Sequence, residues 1–112
     1  MPHQREIFII EVEFEDIDGY KDRPVLILFQ CDHLYTIVPI THVAPKNPPR
    51  NYFDEAKELI VNWKKYGLDR QSWVKCANTK NYDGSIFVGK QPVGIMDIDE
   101  FDKITEKICY YL

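Results

Sequence analysis

Two apolar runs joined by three polar residues constrain this chain more than anything else in it. Pro24-Val25-Leu26-Ile27-Leu28-Phe29-Gln30 and Leu34-Tyr35-Thr36-Ile37-Val38-Pro39-Ile40 flank the short connection Cys31-Asp32-His33. Both read as strands, the first apolar on both faces, and so tight a connection pairs them antiparallel. Pro24 stands at the first position of its run, where a missing N–H is tolerated. Upstream, Phe8, Ile10, Val12 and Phe14 alternate with Ile9, Glu11 and Glu13, which predicts a strand from Glu6 to Phe14 and makes the three a meander. Arg23 is fixed against Pro24, and Thr41 closes the second run. Pairing the strands would bring a guanidinium and a hydroxyl near each other on a rigid sheet. Such a pair suits a phosphodiester, and it also fits two ordinary strand ends.

The rest of the chain reads as shorter pieces around that meander. Gly19 among acids predicts a turn over Asp16 to Asp22. Pro45, Pro48 and Pro49 forbid both helix and central strand, so Val43 to Arg50 reads as an extended loop. It is placed to be a gate, a substrate edge or a plain connector. Phe53, Ala56, Leu59, Ile60, Trp63 and Tyr66 recur at helical spacing, predicting a helix over 53–66. Asp54 and Glu55 in its first turn, Lys64 and Lys65 in its last and Gly67 beyond it match a helix's charge preference and stop signal. Ser72 to Ala77 and Ser85 to Val88 read as strands, the second after a Tyr82-Asp83-Gly84 turn. Gly89 to Gly94 reads as a loop. A final helix begins at Ile98, with Asp97 and Glu100 as a capping-box variant and Phe101, Ile104 and Ile108 as its apolar stripe. Five short strands with two helices predict a mostly-β α+β fold, a small curled sheet or barrel with an inserted and a C-terminal helix.

Composition narrows the function classes. At 112 residues the expectation is a single domain over 1–112, with 45% apolar residues to fill one core. No run approaches the roughly 18–20 apolar residues of a membrane span. Met1 to Glu6 lacks a signal-peptide core, so the expected location is cytoplasmic, away from membranes. Cys31, Cys76 and Cys109 are odd in number and widely spaced. That argues against a disulfide framework and a zinc site and for buried or half-buried free thiols. No metal or cofactor is expected. The net charge of −4 counts against a nucleic-acid partner. The acids, however, gather at Glu11 to Asp18 and Asp97 to Asp102. Lys46, Arg50, Lys64, Lys65, Arg70, Lys75, Lys80 and Lys90 fill the middle, which leaves room for a local basic face.

At this point the residues resemble the MazF/PemK toxins of bacterial toxin–antitoxin pairs. Lys21-Asp22-Arg23-Pro24-Val25-Leu26-Ile27-Leu28 is similar to that family's K-x-R-P-x-L-I-L signature. Val38-Pro39-Ile40-Thr41 resembles its I-T-[S/A] motif, and Gly67-Leu68-Asp69-Arg70-Gln71-Ser72-Trp73-Val74 its G-L-x-x-x-S-x-V segment. Val88-Gly89-Lys90, with the acid-led last helix, resembles its I-G-x-L…D…I ending. The resemblance runs in family order from about Ile7 to the C-terminus. It implies an SH3-like barrel with added helices, usually homodimeric and silenced by a cognate antitoxin. It also implies a metal-independent endoribonuclease that cuts single-stranded RNA to 2′,3′-cyclic phosphate and 5′-hydroxyl ends. The family's catalytic arginine falls on Arg23 and its threonine on Thr41. Lys21, Lys46, Arg70 and Lys80 are the candidate RNA-binding cations.

Three departures stand out. The loop ahead of Arg23, often Gly- and Glu-rich in the family, is here short and acidic. His42 follows Thr41 where the family has Ser or Ala. Lys80-Asn81-Tyr82-Asp83 stands where many members read R-T-I-D, and Lys does not replace Arg at a bidentate site. Relatives that poison DNA gyrase share the fold without cutting RNA, so a non-catalytic binding protein or an inactive member is the alternative.

Cutting RNA without a metal needs a base for the 2′-hydroxyl proton, a cation for the crowded phosphorane and an acid for the leaving 5′-oxygen. Arg23 suits the cation, because its fork matches two phosphate oxygens. It is a poor base. Thr41 can donate to the same oxygens. A histidine at 42 could serve as base or acid, but strand alternation turns it away from Thr41's face unless the strand has ended. Otherwise it is a surface or interface histidine. Asp83 and His33 are weaker candidates. Trp63 and Trp73 read as core or dimer interface, with base stacking a further option for Trp73.

Overall fold

A computed structural model describes residues 1–13 and 20–112, and the side chains of all of these except 12, 13, 20 and 21. The acidic loop ahead of Asp22, the turn around Gly19 and the Phe14 end of the first strand therefore lie partly or wholly outside the described residues.

The meander forms as its residues require. β1 (Glu6–Glu13), β2 (Tyr20–Cys31) and β3 (Leu34–Thr41) pair antiparallel, with Phe8 opposite Val25, Val25 opposite Pro39 and Ile27 opposite Ile37. An irregularity between Ile27 and Phe29 then shifts the register. A one-turn helix α1 (Tyr52–Glu55) follows, then β4 (Lys57–Leu59), β5 (Trp73–Lys75), β6 (Lys80–Asp83), β7 (Gly94–Ile95) and the long helix α2 (Ile98–Tyr110). The strand order is β4-β5-β3-β2-β1-β7, with β6 also on β3. Along one edge β3 pairs first with β6, through Leu34 to Ile37, and then with β5, through Ile40 and Thr41. That change of neighbour curls the sheet into a half-barrel.

Both faces of the curled sheet are buried. Period-2 alternation sends Ile7, Leu26, Val38, Ile40 and Val74 to the face under α2, against Phe101, Ile104 and Ile108. Phe8, Ile10, Val25, Ile27, Tyr35 and Ile37 turn to the other face. Phe87 closes this second cluster, its ring edge-on to Phe8 and Tyr35 at 5.2 and 5.3 Å. The stripe expected on the last helix is the stripe that is buried.

Five expectations are corrected. The helix expected over 53–66 stops after one turn at Glu55, and Lys57–Leu59 becomes a strand on β5. Its apolar spacing is satisfied in another way. Ala56, Ile60 and Tyr66 are buried, but Phe53 and Leu59 are exposed, and tertiary pairing overrides the period. The Ser85–Val88 strand is instead a 3-10 turn over Gly84–Phe87, and the expected Tyr82-Asp83-Gly84 turn is largely strand β6. The reason is local: Tyr82 lies opposite Tyr35 in the ladder, and the Asp83 carboxylate takes the Ser85 N–H at 2.9 Å, ending the strand. The capping box at α2 does not form. Asp97 makes no side-chain cap and pairs with Lys65 at 2.8 Å, while Glu100 accepts from Val61 N–H and the Tyr66 hydroxyl. Of the cysteines only Cys76 is buried, and that burial pushes its thiol up to about 12, so it is no nucleophile; Cys31 and Cys109 are exposed.

The Glu100 contacts hold the 61–67 turn onto α2, and a close backbone approach locks it to β7. A Cβ on Gly94 would run into the Tyr66 carbonyl, and one on Gly67, at φ +78°, into the Val93 carbonyl. Neither obstacle is a flexible side chain, so the backbone itself would have to move. We expect Gly94→Ala to destabilise the fold by about 2 kcal/mol, the usual scale of overpacking. Urea unfolding read by far-UV circular dichroism checks it.

Candidate functional site

The site is built by the end of β3. The Val25–Pro39 pair is the last in the β2–β3 ladder, and two residues further along each strand the same register aligns Arg23 with Thr41. Both strands continue as far as those residues. Arg23 lies opposite Ile10 on its other side. Alternation from Val25 and Ile37 puts Arg23 and Thr41 on the face away from α2. Arg23 is half-buried, with its Nε enclosed. Thr41 Oγ1 accepts the Val43 N–H at 3.1 Å. That bond fixes the hydroxyl oxygen and leaves its proton to be donated outward.

The other candidates fall at graded distances. Lys80 opens β6 opposite Ile37, on the same face as Thr41 and four residues from it along β3, about 13 Å at a strand's rise. His42 is exposed in the bend just after β3, so alternation no longer dictates its direction. Arg70 is exposed ahead of β5, with its Nε 3.7 Å from Asp69. Lys46 is exposed in the proline loop. The Lys21 backbone pairs with Val12, and its side chain lies outside the described residues. Asp83 is not brought to this group. It lies opposite Leu34, seven residues from Thr41 along β3 or about 23 Å. There it caps the 3-10 turn and faces His33 at 3.8 Å. The Ser85 N–H, more than the nearby imidazole, holds its carboxyl below the usual range.

Sequence reasoning placed Asp54 in a helix turn and missed its real work. Its buried carboxylate is the anchor of the proline loop. Oδ2 accepts the backbone N–H groups of Lys46 and Arg50 at 3.2 and 3.1 Å and Arg50 Nε at 3.1 Å; Oδ1 faces Lys57 Nζ at 3.2 Å. Lys57 Nζ also donates to the Val43 carbonyl. The loop leaving Thr41 is thus tied back by one carboxylate. A proline-rich loop has few backbone partners of its own and needs such an acceptor, which was the signal available in the sequence. Among the described residues, no cluster of three or more His, Cys, Asp or Glu could hold a metal ion. No described helix is long and apolar enough to cross a membrane.

No protein-family model matches the chain, and no curated protein matches it in sequence. Solved structures do match in fold. The Mycobacterium tuberculosis toxin MazF-mt6 superposes with a TM-score of 0.66 at 23% identity, over 96% of this chain and 95% of that one. A chain of the MazE–MazF structure (Form-II) from Deinococcus radiodurans gives 0.67 at 14%, over 97% and 93%. MazF (Form-I) from the same organism gives 0.65 at 14%, over 97% and 94%. The α+β half-barrel is the fold of MazF toxins.

Asp54 gives the site a pH dependence. Its hydrogen bonds, led by the Arg50 side chain, hold its carboxyl well below the ordinary aspartate value near 4. A depressed folded value contributes stability that is complete above pH about 4 and is lost as pH falls through the folded value. We expect Asp54→Asn to melt at a lower temperature than wild type at pH 7. The gap should narrow on acidification below pH 4, as wild type loses what the variant already lacks. Thermal melts from pH 7 to pH 2.5 check the sign.

Proposed function

We propose that this chain is the toxin of a toxin–antitoxin pair and cuts single-stranded RNA without a metal. The observation that carries this reading is the register placing Arg23 and Thr41 at one level on one face, in a fold shared with MazF toxins. In this reading the scissile phosphate sits against Arg23 and Thr41. Arg23 offers two N–H groups to its non-bridging oxygens, and Thr41 adds a hydroxyl donor. The 2′-oxygen attacks phosphorus after giving its proton to a base. The 5′-oxygen leaves with a proton, and a 2′,3′-cyclic phosphate remains. Both residues act on charge that grows in the phosphorane, where a preorganised donor is worth most. Lys80 on the same face, with Arg70 and Lys46 around the strand end, tracks the neighbouring phosphates. His42, outside the strand's alternation and one residue from Thr41, is the candidate for the proton-transfer group.

The partners follow from the same reading. One Deinococcus radiodurans neighbour was crystallised as a MazE–MazF complex, and we assign this chain an antitoxin of its own and a homodimeric state. The alternative, a gyrase-directed or inactive protein on the same half-barrel, needs no intact Arg23.

Incubation of single-stranded RNA in excess EDTA tests the proposal. Wild type is expected to cut it, leaving cyclic phosphate ends, with Arg23→Ala slower by a hundredfold or more and Thr41→Val by about a hundredfold. Equal rates for wild type and Arg23→Ala would sink the mechanism. Growth arrest that survives Arg23→Ala, with gyrase inhibited, would favour the alternative.

A further inference from the structure

The row that carries Arg23 and Thr41 continues across the sheet. Thr41 lies directly opposite Trp73 on β5, and Trp73 directly opposite Leu59 on β4. Opposed residues bring Cβ atoms within about 4.5–5.5 Å on one face. Val74, next to Trp73, is buried in the core under α2. Trp73 therefore turns to the opposite face, with Thr41 and Arg23.

The surroundings of the two tryptophans differ. Trp63 is packed against the core under α2. Trp73 is half-buried and is not among the described side chains packed against either core cluster. Leu59 beyond it is 37% exposed, so the apolar surface continues outward from the ring. A large flat ring therefore stands beside the hydroxyl of the phosphate site, on the side away from the guanidinium.

We propose that Trp73 is the base-stacking platform of this site: with the scissile phosphate at Arg23 and Thr41, a flanking base lies flat on the indole with Leu59 at its edge. The proposal rests on the RNA-cutting reading above. It adds a contact of a different physical kind. Phosphate contacts weaken steeply with salt, because they release counterions, whereas stacking on a ring does not. Every base has a π-face, so the platform tolerates sequence, and larger purine faces cover more of the ring. Binding would then have a charge part from Arg23, Lys80 and Arg70 and a salt-insensitive part from Trp73.

The test uses the full chain and a single-stranded RNA that wild type cuts, blocked by 2′-O-methyl groups so that it binds without turnover. Affinity is measured from 50 to 300 mM salt for wild type, Trp73→Phe, Trp73→Leu and Lys80→Ala. Melting curves confirm that each variant is folded. Trp73→Leu is expected to bind roughly ten- to a hundredfold more weakly with an unchanged salt slope, and Trp73→Phe to stay within a few fold. Lys80→Ala should lower the slope instead. In a Trp63→Phe background, Trp73 is the remaining one of the two tryptophans, and its fluorescence should be quenched on binding. If Trp73→Leu binds as tightly as wild type, or its loss is accompanied by a reduced salt slope, the platform is overturned while the cleavage reading stands. If wild type neither binds nor cuts single-stranded RNA, both fall together.

Discussion

β3 holds this molecule together, and its register is pinned from a distance. It pairs with β2 on one edge and with β6 and then β5 on the other. Residues 35 and 37 to 40 are buried on both of its faces. A strand apolar on both sides specifies its register weakly by pattern alone, since a slip of one residue still buries apolar groups. Other features set it. Asp32 takes the left-handed conformation, φ 55°, in the tight turn from β2. Thr36 Oγ1 donates to Asn81 Oδ1 at 2.6 Å across to β6. The placement of Thr41 thus depends on a turn nine residues earlier. A one-residue slip would send Thr41 under α2 and Ile40 towards Arg23.

The strand end is held as firmly as the strand. The chain leaving Thr41 enters a loop with three prolines and little backbone pairing of its own. Asp54 supplies what is missing: one carboxylate serves two backbone N–H groups, a guanidinium and a buried ammonium. A buried carboxylate shared among so many donors stays ionised and resists movement. The Lys57 that neutralises it also bonds the Val43 carbonyl, next to the Val43 N–H that Thr41 accepts. The threonine hydroxyl is therefore oriented through a chain of contacts that ends in a charge buried some distance from the site.

What was legible in the sequence follows the strength of each local signal. The meander and α2 could be read because long periodic runs outvote noise, and Phe101, Ile104 and Ile108 face the core as their spacing requires. The segment from Phe53 to Tyr66 misled because its apolar residues fit a helical period. Its burial is decided by partners far along the chain: β5 for Lys57–Leu59 and Glu100 for the turn beyond. Asp97 and Glu100 looked like a cap until Lys65 and Tyr66 engaged them. In each case a side chain had two plausible partners, one local and one distant, and only the fold brings the distant one within reach. The same is true of the site. Arg23 and Thr41 were visible as strand ends, but that Trp73 stands beside Thr41 follows from a β3–β5 pairing with no signature in either segment.

The acidity of the chain also reads differently once its parts are placed. Asp97, Asp99, Glu100, Asp102 and Glu106 ride on or at the start of α2, which covers one face of the sheet. Arg23 and Lys80 lie on the other. An overall charge of −4 then says little about the field around Arg23 and Thr41, where interactions beyond about 8–10 Å are screened at ordinary salt. Arginine suits that position for a further reason. Arg23 is half-buried beside Ile10 and Val25, and a guanidinium, being weakly hydrated and permanently charged, accepts such a setting where an ammonium would tend to lose its proton. The partial burial lowers the local dielectric and strengthens its attraction for an anion. Its permanent charge disqualifies it as a base. His42, one residue past the end of β3, is where the strand first releases the chain from its alternation.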